Sequence, residues 1–80
     1  MTRVTIEGWK EGLNKVQLNH LLRRHAGYGL ADAKHAVDEL LAGKSVTFES
    51  PDATSATAFC LSARAIGAVC QAATEVQGRV

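Results

Sequence analysis

The sequence lacks a strong charge of either sign. Nine lysines and arginines stand against eight aspartates and glutamates, so the formal net charge of the 80 residues is +1. Aromatic residues are also scarce, at 5%. Dedicated nucleic-acid-binding domains usually carry a clear basic excess, and proteins that bind single strands add aromatic residues on which bases stack. We therefore expect no specific nucleic-acid partner.

Cysteines and long apolar segments are equally few. Two cysteines, Cys60 and Cys70, are too few for a disulfide framework, so we expect buried, reduced thiols and a cytoplasmic location. No apolar run approaches the roughly 20 residues that span a bilayer, and the first residues alternate instead of forming the apolar segment of a signal peptide. We expect no membrane partner.

What the sequence does contain is enough apolar surface for one small folded domain over residues 1–80. Its apolar fraction is 46%, well above that of a disordered chain. Val4 and Ile6 alternate with polar neighbours, which predicts a half-buried first strand. Gly8 is expected to end this strand, within a strand-and-loop region over residues 1–13.

Two later segments are also predicted as strands. Residues 46–48 alternate in the same way and form a short second strand. The last strand is predicted over residues 69–76, with Cys70 and Ala72 pointing inward. Residues 77–80 are expected to fray.

Asn14 and Gln17 predict the start of a first helix. An asparagine N-cap followed three residues later by glutamine can form a capping box. Helical spacing gives a core face of Leu18, Leu21, Leu22 and His25. Val16 points away from that face, among polar side chains, and Gly27 is expected to end the helix as a left-handed C-cap.

Two further helices are bounded by glycines and capping residues. The second is predicted from about Leu30 to Gly43, and the third from Ser50 as N-cap, with Pro51 at the first helical position, to Gly67. The predicted buried residues of the second helix are Leu30, Ala33, Val37, Leu40 and Leu41. Those of the third are Ala56, Phe59, Ala63 and Ile66, with Cys60 at the edge.

The predicted order of elements is therefore β-α-α-β-α-β. This order indicates an α+β fold with a small three-stranded sheet and three helices packed on one face. Two helices separate the first two strands and no hairpin signal is present, so the strand directions stay open between antiparallel and mixed.

No motif in the sequence predicts catalysis. Gly27-Tyr28-Gly29 follows a helix and lacks the third glycine of a dinucleotide-binding loop, so we interpret it as a turn. His20 and His25 are five residues apart, about 140° around a helix, and do not share a face as metal ligands would. No local motif orders a serine, a histidine and an acid as a triad. We expect a protein that is not an enzyme and has no cofactor and no bound metal.

The polar face of the first helix is basic. Lys15, His20, Arg23 and Arg24 lie on or near it, and Val16 adds an exposed apolar point among them. Cations near a helix C-terminus complement the helix dipole and keep the surface soluble. The same face could instead dock onto an acidic protein surface. Composition alone favours the first interpretation.

The residues of the first two helices resemble a known family. Asn14-Lys15-Val16, then Arg23, then the segment from Gly27 to Val37, are similar to the C-terminal domain of the bacterial large-subunit ribosomal stalk protein. That family has an Asn-Lys-Val helix start, an arginine seven residues after the valine, and a Gly-Leu-Gly-Leu-Lys-Glu-Ala-Lys turn and second helix. The likeness runs without an apparent gap from about residue 14 to 53, and more loosely over nearly the whole chain. The family's order of elements is the one predicted here.

This resemblance implies a function in binding. In the family, the domain recruits translational GTPases to the ribosome through exposed residues of the first two helices. The resemblance therefore implies a non-catalytic protein–protein interaction module, with a translational GTPase as its partner. The implied binding residues are Lys15, Val16, Asn19, His20, Arg23 and Lys34. Asn19 and His20 stand where the family has an isoleucine and a lysine. The family's dimerisation domain and hinge have no counterpart in these residues, so we expect a free-standing relative.

Two other functions stay open. The same fold resembles the adaptor of the Clp protease, and Gly43-Lys44-Ser45-Val46 is similar to a stretch of that adaptor. However, the adaptor's Asp-Asp-aromatic-Thr-Pro lead is missing, and its pocket histidine corresponds to Leu40. This alternative would be a substrate- or chaperone-binding protein. The other alternative is a small inhibitor or immunity protein that caps an enzyme. The sequence does not predict the oligomeric state.

Overall fold

Three helices and three strands make up the computed structural model, which describes residues 2–74. The elements are β1 (Thr2–Trp9), α1 (Lys15–His25), α2 (Leu30–Leu41), β2 (Val46–Ser50), α3 (Ala53–Ala65) and β3 (Ala68–Thr74). Their order is the predicted β-α-α-β-α-β. Over residues 2–74, no helix has both the length and the apolar character needed to cross a membrane.

The first strand of the chain is the middle strand of the sheet. The strand order is β2-β1-β3, and β1 pairs antiparallel with both neighbours. Ile6 lies opposite Val46 on one side and opposite Cys70 on the other, and all three are buried. The directions that the sequence left open are therefore antiparallel.

The helices cover one face of this sheet. Residues of β1 and β2 are buried on the face toward the helices and mostly exposed on the other. The helix α1 packs mainly against α2 and α3, so it is the outermost layer of the molecule. Phe59 lies at the centre of the core, with its ring edge-to-face with Phe48 at a centroid distance of 5.0 Å. The predicted α+β architecture is confirmed.

The limits of α1 follow the sequence signals. The Oδ1 atom of Asn14 accepts a hydrogen bond from the backbone N–H of Gln17 at 3.1 Å. At the other end, Ala26 is the C-cap and Gly27 has a φ of +72°, which an L-residue with a side chain rarely adopts. Leu18 and Leu22 are fully buried beneath the helix.

The predicted start of α3 is wrong. Asp52 is the N-cap, and its Oδ1 atom accepts a hydrogen bond from the N–H of Ser55 at 2.7 Å. Ser50 is instead the last residue of β2, where it is buried and its hydroxyl donates to the carbonyl oxygen of Asp52 at 3.1 Å. Pro51 lies between the strand and the helix. The alternation of buried residues in β2 continues to Ser50, and this carries the strand two residues further than predicted.

The bounds of β1 and β3 also differ from the prediction. β1 does not end at Gly8, because Gly8 and Trp9 continue the ladder opposite Val69 and Ala68. The register shifts between Ile6 and Gly8, as expected of a β-bulge with one extra residue. β3 begins one residue earlier than predicted. The predicted end of this strand, residues 75–76, and the predicted frayed residues 77–80 lie outside the described residues.

Two residues predicted in the core are exposed. Leu30 is 65% exposed, because it is the first residue of α2 and helical side chains point toward the N-terminus, here beyond the packed layer. Ala72 lies opposite the buried Val4, on the core side, but β3 is an edge strand and leaves it exposed. Conversely, Cys60, predicted at the edge of the core, is only 3% exposed.

Candidate functional site

A groove lies between α1 and α2 on the outer surface of the molecule. It is open and has a volume of about 360 Å³. Its walls are formed by Lys15, Val16, Asn19, His20 and Arg23 of α1 and by Leu30, Lys34, Val37 and Asp38 of α2. The structure thus brings together in one groove all of the residues that the resemblance implies as a binding face.

Apolar side chains form the centre of this groove. Val16 is 68% exposed and Leu30 is 65% exposed, while Val37 beneath them belongs to the core. Five large apolar residues are exposed within residues 2–74, and two of the five lie in this groove. Exposed apolar surface with a polar rim is typical of interaction sites on soluble proteins.

The exposure of Val16 follows from the geometry of α1. Leu18 and Leu22 turn toward the core, and Val16 lies about 200° around the helix from Leu18. Because the buried side of α1 faces the other two helices, Val16 cannot reach the core from its position. Its place in the groove is therefore set by the phase of the helix.

Cations border the apolar centre. Among residues 2–74, Lys15, His20 and Arg23 form no salt bridge and no side-chain hydrogen bond. The last turn of α1 carries three basic residues, which suit the negative end of the helix dipole. This face of the molecule is basic although the whole chain is nearly neutral.

Lys34 is the groove cation that has a partner. Its Nζ atom lies 3.0 Å from Oδ2 of Asp38, one helical turn further along α2. Both side chains are more than half exposed, so this pair contributes only about 0–1 kcal/mol. Lys34 can therefore exchange Asp38 for a carboxylate of a binding partner at little cost.

The three histidines lie in different environments. His20 is exposed at the groove, and His35 is exposed on α2 with its Nε2 atom 3.5 Å from Oε2 of Glu39. His25 is half-buried, with its ring edge-to-face with Phe59 at a centroid distance of 5.7 Å. Burial, together with the neighbouring charge of Arg24, lowers the pKa of His25 below its ordinary value. In the part of the chain that the structure describes, no three His, Cys, Asp or Glu side chains come together as a metal site would require.

The sequence did not predict Leu30 as part of the groove. Its spacing with Val37 placed it on the buried face of α2, and that periodicity is correct for the rest of the helix. Its position as the first helical residue was the available signal, because a residue in the first turn has no preceding turn to cover it. The sequence also did not predict Asp38 as a groove residue. Its contribution there is the hydrogen bond that its carboxylate accepts from Lys34.

The position that bears on the Clp-adaptor alternative is closed to a ligand. Leu40, which corresponds to the pocket histidine of that adaptor, is only 1% exposed and belongs to the core. A depression nearby is lined by Tyr28, His35, Glu39 and Thr47 among others, but Leu40 does not line it.

Comparison with protein-family models and with curated protein sequences gives no match for this chain.

Proposed function

We propose that this chain is a non-catalytic docking module whose α1–α2 groove binds a protein surface that presents carboxylates around an apolar side chain. The observation that carries the proposal is the exposure of Val16 and Leu30 in one groove bordered by cations. An apolar centre within a charged rim is the arrangement that gives protein interfaces their affinity and their orientation.

The charges of the groove support an acidic protein surface as the partner. Lys15, Arg23 and Lys34 contribute three cations to the groove, and Asp38 contributes one carboxylate. The net charge of the whole chain is only +1, so the excess of cations in the groove is a local property of this face. Such a local field favours association with an acidic protein surface. It is too small an excess for a long polyanion, because few phosphates could be neutralised.

The resemblance to the ribosomal stalk C-terminal domain supports a more specific proposal. It favours a translational GTPase as the partner and a bacterial, cytoplasmic setting. Two groove residues differ from the family. Asn19, which is half-buried, replaces an isoleucine, and His20, which is exposed, replaces a lysine. Asparagine is less apolar than isoleucine, and histidine does not carry the fixed positive charge of lysine. These replacements therefore favour a partner surface that is less apolar and less acidic than the one the family binds.

The substitution Val16→Asp tests the proposal directly. It places a carboxylate in the apolar centre, facing the carboxylates of the partner. The dissociation constant for a purified bacterial translational GTPase should rise about tenfold or more, as expected for the loss of a central apolar contact. The melting temperature should stay within a few degrees, because exposed substitutions change stability by less than about 0.5 kcal/mol. Leu30→Asp should weaken binding in the same way.

Leu61→Asp is the matched control. Leu61 is 60% exposed on α3 and does not line the groove, so this variant makes the same change in chemistry at a comparable exposure. Its binding should equal that of the unaltered chain. If Leu61→Asp weakens binding as much as Val16→Asp does, or if Val16→Asp unfolds the domain, the groove assignment is wrong.

The identity of the partner is tested separately from the groove. If the same variants abolish binding to a Clp chaperone subunit or to a single toxic enzyme, the groove is the binding site but a translational GTPase is not the partner. Titration with ribosomal RNA fragments and random duplex at about 150 mM salt completes the comparison. A sub-micromolar, sequence-dependent RNA complex at that salt concentration would contradict the docking proposal.

A further inference from the structure

Cys60 and Cys70 are in contact inside the core. Cys60 lies on the buried side of α3 and Cys70 lies in β3, and their Sγ atoms are 2.9 Å apart. The residues are 3% and 2% exposed, and both thiols are free. A disulfide bond measures about 2.05 Å, so the two sulfurs need to approach by less than about 1 Å to form one.

Contacts other than the sulfurs hold the two elements in this arrangement. Arg64, one turn after Cys60 on α3, donates hydrogen bonds from Nε and Nη2 to the carbonyl oxygen of Cys70 at 3.0 and 2.8 Å. Cys70 is also held in the sheet opposite Ile6. The thiols are therefore brought together by the fold, and their proximity does not depend on a bond between them.

We propose that Cys60 and Cys70 form an intramolecular disulfide by exchange with a small-molecule disulfide, and that this bond fastens α3 to β3. The thiolate of one cysteine attacks the small disulfide, expels one thiolate and forms a mixed disulfide. The thiolate of the other cysteine then attacks the protein sulfur of the mixed disulfide and expels the second small thiolate. The two cysteines lose two electrons and two protons, and the small disulfide gains them as two thiols.

The same burial that aligns the thiols protects them in the folded chain. Burial raises the pKa of the Cys70 thiol far above its ordinary value, and the adjacent Cys60 thiol adds to the rise. Only thiolates exchange, so the reaction proceeds when α3 and β3 separate, during folding or local opening. In a reducing compartment the pair stays as two thiols, as the sequence predicts. In an oxidising one, each newly folded chain acquires the crosslink.

Refolding under a glutathione buffer tests this inference on the full chain. The chain is refolded from denaturant with reduced and oxidised glutathione, remaining thiols are alkylated, and the protein is cut with trypsin. Cleavage after Arg64 separates Cys60 from Cys70, so the two peptides stay together only through the disulfide. We expect this linked pair, a monomer two hydrogens lighter, and a melting temperature higher by about 5 °C or more than that of the reduced chain.

The same exchange carried out in denaturant throughout is the control. Without the fold, the fraction of internally linked chain at the same glutathione ratio should fall by about tenfold or more, because the fold and the disulfide stabilise each other to the same extent. An equal fraction with and without the fold would overturn the inference. So would refolded chains that carry only free thiols, mixed disulfides or intermolecular links, or an internal link that lowers the melting temperature.

Discussion

Gly67 is the residue at which the loop before α1 meets the turn after α3. Its φ is +104°, and a Cβ added there would lie 3.0 Å from the Cα atom of Leu13. Two backbone hydrogen bonds join the same segments, from Lys10 N–H to the Gly67 oxygen at 2.7 Å and from Asn14 N–H to the Ile66 oxygen at 3.0 Å. Glycine is therefore required here both for its conformation and for its lack of a side chain.

Gly67→Ala should destabilise the fold more than Gly43→Ala does. Gly43 has a similar φ of +95° but nothing within 4 Å of an added Cβ, so the two variants share the backbone strain of about 1–2 kcal/mol. Gly67→Ala adds a close contact with backbone atoms, which should cost about 1–3 kcal/mol more. Urea denaturation of both variants measures the difference, and equal losses would contradict the close approach of Leu13.

His25 should make the fold less stable as the pH falls. Its pKa in the folded chain is lowered from 6.5 by burial and by Arg24, so the unfolded chain binds a proton at a higher pH than the folded chain does. The stability that the neutral ring contributes is complete above pH 6.5 and is lost as the pH falls from there toward the lower folded pKa.

Urea midpoints measured at intervals between about pH 8 and pH 5 test this expectation, because that range brackets an ordinary histidine pKa. His25→Gln should flatten the decline. His20→Gln, at an exposed position of the same helix, should leave it unchanged. A decline that persists in His25→Gln would assign the pH dependence to other groups.

At the scale of the element, α3 shows how neighbouring signals compete for one helix start. Ser50, Pro51 and Asp52 are all favourable near a helix N-terminus, and local preference alone ranked Ser50 first. The pairing of β2 with β1 places Ser50 opposite Thr2, which holds it in the sheet and leaves the cap to Asp52. The tertiary partner of the strand therefore decides where the helix begins.

Asp52→Ala should lower the free energy of unfolding by about 1 kcal/mol, the usual effect of losing an N-cap side chain. Pro51→Ala is the control. Pro51 is exposed and lies outside the helix, so its replacement removes no cap and should cost less than Asp52→Ala, through the greater freedom of the unfolded chain alone. Thermal melts followed by far-ultraviolet circular dichroism compare the two. A larger loss of unfolding free energy in Pro51→Ala than in Asp52→Ala would favour the predicted helix start, with Ser50 as the N-cap.

The two helices of the groove differ in how far their sequences predict their exposed faces. The outward direction of Val16 follows from the 100° step of α1, so the α1 side of the groove was predictable from that helix alone. Leu30 fits the apolar period of α2 equally well, yet it is exposed, because exposure also depends on whether a neighbouring element covers that turn. The apolar period of α2 does not carry this information, and the only signal within the helix is the position of Leu30 at its first residue.

For the whole molecule, the order of elements and most of the core could be predicted from local patterns. The strand order could not, because the partners of β1 are distant in sequence and leave no local signal. Ile6 pairs with Val46 and with Cys70, and neither connection is a hairpin. The contact between the thiols of Cys60 and Cys70 could not be predicted either, because it depends on how α3 packs on β3 and leaves no local signal in the sequence.

The pairing of β1 with β3 also brings the two ends of the described chain together. Thr2 lies opposite Thr74, and such partners in an antiparallel sheet have Cα atoms about 4.5–5.5 Å apart. A segment joined ahead of Thr2 and another joined after Thr74 would leave the domain at neighbouring points. A fold with this property can be carried within a surface loop of a host protein without forcing the ends of that loop apart. The domain is therefore suited to insertion into a loop of another protein.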